Sequence, residues 1–412
     1  MRQLWIIEPR DTLFFRGGQP FTAGESGYLR SEFPPSPQVL QGFVRTTLLA
    51  AHGISWEAYA QDRCDVCGTA IEDCAAGKYV GPAGSLTTRF QISGPFLLRR
   101  PAEPNQPWVS YYPVPKDLVR TEDGGWHRLE PGQDPVPTDL GRLRLPAAVV
   151  SGVRTVDGWW MTEQALVAYL AGQIAALGET NFLTPPQVAT DEAAYKVTAQ
   201  GDSVPPVGFL EPRTLIQIDR ATGRAADHML ASTAHFRFNP LAHLALGVYL
   251  DNLPAHLSPA DGTFSTTLGG ESRQVYVTVT TGNSIDTADT AAAINHTQRF
   301  RLVLLQPTLF AQGWLPDGFT PATAPDGTVT WHGQLNGVPC RLISACIGKP
   351  VRIGGWNIRE RCSRPMYTLV PPGSVYFFEA TASGEEVVTA LHDRHIGNMS
   401  EIGYGWTVIG RW

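Results

Sequence analysis

Proline and glycine interrupt this chain so often that little of it can form a long helix: 33 prolines and 41 glycines are spread over 412 residues. Proline removes a backbone donor and glycine raises the entropy cost of ordering, so the segments between them must be short strands, short helices and turns. Strands should outnumber helices. The chain also exceeds the length that one hydrophobic core usually serves, which predicts two core units. Its 43% apolar and 17% charged residues describe a globular protein, not a disordered one.

Charge and cysteine usage narrow the function classes. A net charge of −6 and a pI near 5.9 do not fit a freestanding, non-specific nucleic-acid binder, which carries a broad basic surface. Any RNA contact must therefore be local or shared with partners. Six cysteines in so long a chain imply reduced thiols or a metal site instead of a disulfide framework. Leu4-Trp5-Ile6-Ile7 is cut short by Glu8 and Pro9, which is not the pattern of a secretion leader, and there is no long apolar run of membrane-spanning length. A cytoplasmic protein with no membrane contact is expected.

Positive charge nevertheless collects in one place. From Arg341 to Tyr367 there are six cationic side chains against the single acid Glu360. Within this stretch Lys349, Arg352, Gly354, Gly355, Trp356 and Arg359 combine cations, bare backbone and a flat ring. That is what phosphate approach and base stacking require, although such a run can also be a solvated hairpin face. A second chemical cluster is Cys64-Asp65-Val66-Cys67 followed by Cys74. The CxxC spacing places two thiolates on one tight turn and reads as a zinc knuckle with a third thiolate nearby; the fourth ligand would have to be His52, an acid or something distant. Incidental thiols in an insertion are the alternative.

Taken in order, Leu4–Ile7 reads as a central strand. Ser36 caps and Pro37 begins a helix carrying Leu40, Phe43, Val44, Thr47 and Leu48, which stops at Gly53. Residues 90–144 read as irregular β-structure. Thr162 caps a second helix reaching to Gly178, and residues 214–219 and 234–238 form the arms of a hairpin around a basic linker. Gly282 to His296 is polar and without periodicity, and marks a boundary. Beyond it the opening recurs: Leu302–Pro316 parallels Leu4–Pro20, Ser383–Glu386 is a capping box, and Ile402-Gly403-Tyr404-Gly405 feeds a last strand as Leu268-Gly269-Gly270 fed an earlier one. The plan is a duplicated α+β arrangement of the βαββαβ kind.

Six motifs in a fixed order carry a resemblance. They are residues 7–21 (IEPRDTLFFRGGQPF), 34–37 (PPSP), 268–271 (LGGE), 349–356 (KPVRIGGW), 371–379 (PPGSVYFFE) and the closing IGYG at 402–405. Together they resemble the third subunit of the type III-B CRISPR Cmr effector complex, of the RAMP superfamily; the match is close at both ends of the chain and thin in the middle. The resemblance implies two ferredoxin-like (RNA-recognition-motif-like) domains with long insertions, an N-terminal one over 1–290 and a C-terminal one over 291–412. It implies a non-catalytic subunit in antiviral defence that holds the 5′ handle of the guide RNA. Its partners would be the large polymerase/cyclase-like subunit and the backbone RAMP subunits, with target RNA met indirectly.

Carried onto this sequence, the resemblance makes Arg16, Arg30, Gly269, Gly270, Lys349, Arg352, Gly354, Gly355, Trp356, Arg359, Gly403 and Gly405 the candidate RNA-facing residues. Cys64, Cys67 and Cys74 are the candidate ligands of a structural zinc. Two rival functions remain. A metal-independent guide-RNA-processing endonuclease would need a histidine beside a glycine loop, and His52, His392 and His395 do not read that way. A zinc-stabilised protein-interaction module would turn the arginines toward a partner's acids.

Overall fold

The computed structural model describes residues 2–17, 28–103, 106–189, 204–259, 262–287, 289–357, 360 and 362–412. The fold is mixed α+β and mostly strand. Among the described residues no helix is long and apolar enough to cross a membrane. Two compact units form, and both are discontinuous. Unit 1 comprises residues 1–109, 183–282 and 352–367; unit 2 comprises 110–182, 283–351 and 368–412.

The compact units do not follow a contiguous division at residue 290. Residues 110–182 and 352–367 each fold with the half of the chain that the sequence assigned elsewhere. For 110–182 the physical reason is a buried charge. Asp117 and Tyr169 in that segment enclose the guanidinium of Arg301, so neither part can close its interior without the other.

Unit 1 is built on the strand β1 (Gln3–Pro9), whose Trp5 and Ile7 are fully buried. The helix α1 (Pro37–Ala51) follows. Its first orphan amides are met by the Ser36 hydroxyl, which accepts from Val39 N at 3.4 Å, and Gly53 ends it with φ +68°. Leu40, Phe43, Val44 and Leu48 face the core, where Phe43 meets Trp5 edge-on at 6.4 Å. After α1 come β2 (Gln91–Arg99) and a long hairpin, β3 (Gly208–Asp219) with β4 (Arg224–Phe238). The next strands are β5 (Leu244–Asp251), β6 (Thr263–Thr267) and β7 (Gln274–Thr281). The sheet order β2-β5-β1-β7-β6 is antiparallel throughout, so β1 is central as expected. The hairpin arms are longer than the sequence indicates, and the expected flexible linker is only a tight turn in which Gly223 N donates to Asp219 O at 2.8 Å.

Unit 2 holds α2 (Glu163–Leu170), α3 (Thr290–Thr297), β8 (Arg299–Leu304), β9 (Val329–Leu335), β10 (Val338–Cys346), β11 (Val375–Ala380), α4 (Gly384–Leu391) and β12 (Trp406–Arg411). Within its seven-stranded sheet the order runs β9-β10-β11-β8-β12, again antiparallel. Ser383 and Glu386 form the expected capping box of α4. The polar, aperiodic stretch 282–296 holds most of α3, because Ile294 is buried in the core. α2 stops at Leu170, earlier than the expected Gly178, since Gly172 turns the chain at φ +80°.

The two sheets share one order. Numbering the four principal strands of each unit along the chain, both run second-third-first-fourth: β2-β5-β1-β7 and β10-β11-β8-β12. Unit 1 keeps a helix between its first and second strands, and unit 2 keeps one between its third and fourth.

Beneath the unit 2 sheet lies a fully buried ion pair. Arg301 Nη1 contacts the Asp117 carboxylate, Tyr169 Oη donates to Asp117 at 2.6 Å, and Arg301 Nε donates to the Arg411 carbonyl at 2.7 Å. Burial pushes the Asp117 carboxyl up against the pull of Arg301. Burial also draws Arg301 down, but Tyr169 and Asp117 hold it above its ordinary value, which marks the guanidinium as charged.

Candidate nucleic-acid interface

In unit 1 the first glycine loop and the Gly269–Gly270 turn, far apart in sequence, come together. Gly270 N donates to Phe14 O at 2.7 Å, and Gly269 (φ +77°) lies so close that a β-carbon there would sit 2.7 Å from the same oxygen. Only glycine permits that approach. Leu13 pairs with Phe236 of β4 through two backbone hydrogen bonds, of 2.7 and 2.9 Å, which fixes the loop across the hairpin base. Gly269, Gly270 and the Arg16 side chain are exposed. Arg30 is also exposed, at the end of the strand Tyr28–Arg30, which runs parallel to Ser232–Ala234.

The cations flanking this turn are already compensated. Asp11 pairs with Arg237 at 2.6 Å and with Arg273 at 3.5 Å, Glu211 pairs with Arg237, and Glu271 pairs with Arg273. With Arg213 included, three arginines face three acids, so this lattice is neutral; it positions the turn and does not attract an anion. Glu8 is paired with Arg100.

The 352–367 segment differs. Arg352 is exposed, Gly354 and Gly355 are half-buried, and Trp356–Asn357 pairs antiparallel with Cys362–Ser363. The side chain of Trp356 and the whole of Arg359 lie outside the described residues. Arg364 N donates to Gly355 O at 2.9 Å, and a β-carbon on Gly355 would fall 3.3 Å from Gln38 Nε2, in the first turn of α1. Arg364 has a buried Nε with no hydrogen-bond partner, and among the described residues no carboxylate pairs with it. Its charged neighbour is another arginine. Arg45, on α1, spends its donors on the carbonyls of Val80, Ser85 and Thr87; burial depresses its pKa, and the like charge of Arg364 adds to that. Two guanidiniums without an acid, beside a bare glycine and a helix start, form an anion-seeking corner. Arg364 stood in the cationic run but not among the chosen site residues, because its isolation from acids is a tertiary property.

Elsewhere the candidates are less available. Lys349, in unit 2, is exposed, but it faces Asp157, which is held below the ordinary carboxylate range first by a hydrogen bond from Lys116 (2.8 Å) and then by the charges of Lys116 and Lys349. Arg341 is committed to Glu379. Gly403 and Gly405 are buried, with φ +100° and +73°, and a β-carbon on Gly405 would lie 1.9 Å from Ile396 O. Their glycines therefore have a sufficient steric cause without any ligand. The hairpin tip adds a feature that composition did not reveal: Leu215, Ile216 and Ile218 are 40–61% exposed beside Arg220 and Arg224.

The histidines weighed as catalysts serve structure. His52 Nε2 contacts Leu257 O at 3.1 Å, His392 bridges Ile285 O and Ile409 N, and His395 Nδ1 contacts Tyr404 O at 2.9 Å. His235 escaped sequence analysis and lies beside the Gly269–Gly270 turn. It stacks on Phe14 at 4.8 Å and meets Thr12 and Glu271, but its side chain is fully buried.

The cysteines do converge: the Sγ atoms of Cys64, Cys67 and Cys74 all lie within 4.8 Å of one another and could hold a metal ion. Hydrogen bonding from Thr69 brings the exposed Cys67 thiol down to about 7, while burial raises Cys64. His52, offered as a fourth ligand, is not part of this group.

Comparison with known proteins follows the same direction. Two cryo-EM structures of the Type III-B Cmr-beta assembly contain chains similar to this one. In the assembly bound to cognate target RNA and AMPPnP the likeness is 14% identity over 97% of this chain and 94% of that one, at a TM-score of 0.45. In the assembly bound to cognate target RNA it is 16% identity over 98% and 95%, also at 0.45. No curated protein matches the sequence. A family model described as CRISPR-associated protein (Cas_Cmr3) matches residues 5–412, nearly end to end, and bears out the resemblance carried by the six motifs. The chain belongs to the Cas_Cmr3 family of CRISPR-associated proteins.

Proposed function

We propose that this chain is a non-catalytic subunit of a type III-B Cmr effector. In this role it grips the 5′ handle of the guide RNA and joins the large polymerase/cyclase-like subunit to the backbone RAMP filament. The observation that carries the reading is the acid-free corner of Arg364, Arg45 and Gly355 in a chain whose net charge is −6. The exposed Arg352 and Arg30 extend the charge that a phosphate backbone would meet, and phosphate contacts position a strand without reading its sequence. Exposed aliphatic side chains at the hairpin tip suit a wedge beside unstacked bases.

The shared strand order supports two ferredoxin-like domains, with a strand-bearing connection in each where one of the two helices would stand: β6 in unit 1 and β9 in unit 2. Zinc is the ion we assign to the cysteine triad, since three thiolates suit a borderline-soft cation better than calcium or magnesium. The cytoplasm is the compartment in which such an effector would meet its RNA.

The test is to purify the tagged chain from its native cell, sequence the RNA that accompanies it and identify the bound proteins. Guide RNAs sharing a common 5′ handle, together with a large multidomain partner, are expected. Recovery of partners without RNA would favour the protein-interaction module. Site-specific cutting of repeat RNA by the isolated chain, abolished by His235→Ala, would replace the proposal with the endonuclease.

A further inference from the structure

The cysteine triad sits in the least self-sufficient part of unit 1. Residues 53–90 contain only two single-turn helices, Trp56–Tyr59 and Gly77–Val80, joined by turns. Their interior is small, comprising Ile54, Tyr59, Ile71, Ala76, Val80, Ala83 and Phe90 beside Cys64 and Cys74. One end is clasped by Arg45 through the 80–87 carbonyls. The other end is tied back through Asp62, which accepts from Ala83 N at 2.6 Å, and Tyr59, whose Oη donates to Gly81 O at 3.1 Å.

The backbone there is already shaped as a knuckle. Gly68 N donates to Cys64 O and Cys64 N to Thr69 O, both at 2.9 Å, and Gly68 takes the turn at φ +74°. A tetrahedral zinc with bonds of about 2.3 Å needs sulfurs about 3.8 Å apart. The triad, within 4.8 Å, can reach that by small side-chain rotations.

Three donors are not four. Among the described residues no further His, Cys, Asp or Glu joins the group; of the acids adjacent to the cysteines, Asp65 accepts from Ser55 N at 3.1 Å and Asp73 stands outside the group. Cys64 and Cys74 are buried, but Cys67 and its neighbours Asp65, Val66, Gly68 and Thr69 are exposed. The sulfur triangle therefore has a solvent-facing corner.

Resting on the zinc reading above, we infer that no described residue fills the fourth coordination position and that it is open to a single added imidazole or thiolate. As each metal–sulfur bond forms, the thiol gives its proton to solvent, and the ion keeps its 2+ charge with no oxidation or reduction. A closed structural site would have supplied its own fourth ligand, so an open one turns the insertion into a point of attachment.

The experiment uses the full chain, purified under reducing conditions without chelators, analysed for metal and then exchanged with Co²⁺. About one zinc per chain is expected, followed by the thiolate-to-cobalt charge transfer and d–d bands of a four-coordinate site. Titration with imidazole, and separately with 2-mercaptoethanol, should shift those bands saturably. Cys67→Ser, at the exposed position, should lose most of the metal while unit 1 stays folded. Protein with no metal and no cobalt–thiolate band overturns the zinc and the open position together. One firmly bound ion whose cobalt spectrum ignores both ligands overturns the open position and leaves the zinc.

Discussion

Replacing Asp117 by Asn should destabilise unit 2 by about 3–5 kcal/mol, the cost of leaving a buried charge without its counter-ion. Both side chains of the Asp117–Arg301 pair are fully buried, so solvent does not screen the loss. The amide keeps the volume and can still accept from Tyr169, which confines the change to charge. What remains for the guanidinium is the Arg411 carbonyl, the neutral Tyr169 hydroxyl at 3.4 Å and Glu130 at 3.4 Å, the last 46% exposed and hence a weak partner. Against a typical total stability of about 5–15 kcal/mol this is a large fraction. At about 2–4 °C per kcal/mol for a unit of this size, it corresponds to a fall in Tm of roughly 6–20 °C. Calorimetry and denaturant unfolding of wild type, Asp117→Asn, Arg301→Met and the double variant form a cycle, and the double should lose less than the sum of the singles. An Asp117→Asn protein within about 1 kcal/mol of wild type, or strict additivity in the cycle, would refute the view that this pair is charged and coupled.

Two further outcomes are expected. For RNA binding by the chain with its large partner, Arg352→Ala should reduce the log–log salt slope by about 0.7, while Lys349→Ala should change it less, because Asp157 already shares that charge; equal slopes in wild type and both variants would remove these cations from the RNA contact. His392 is buried with its pKa lowered, chiefly by desolvation, and its Nδ1 accepts from Ile409 N. The unfolded chain therefore takes up that proton near pH 6.5 and the folded chain only at lower pH, so stability should decline as pH falls below about 6.5, and His392→Asn should flatten the decline in a pH series of melts.

Local chemistry was legible in the sequence. Ser36, Pro37 and Gly53 delimit α1 because capping and positive φ are decided within a few residues, and the same holds for the Ser383 capping box. The CxxC knuckle and the Gly269–Gly270 turn could be read for the same reason. What could not be read depends on distant partners. Whether a cation is available is settled by the acids near it in space: Arg237 and Arg273 are neutralised by residues more than two hundred positions away or next door, whereas Arg364 is not. Asp117 looked like one more loop acid until Arg301, 184 positions later, closed over it. His235 was overlooked because a histidine within an alternating strand gives no sign of the turn packed against it.

The interleaving of the two units bears on how the chain can be made. It passes from one unit to the other five times. During synthesis the first unit lacks its last piece until residue 367 has left the ribosome, and by then most of the second has emerged beside it. Neither can finish early and wait for the other. Expression of either half as a separate fragment should give incomplete cores, and a premature stop anywhere before the final strand leaves both Arg301 and its surrounding acids without the Arg411 carbonyl that completes their enclosure.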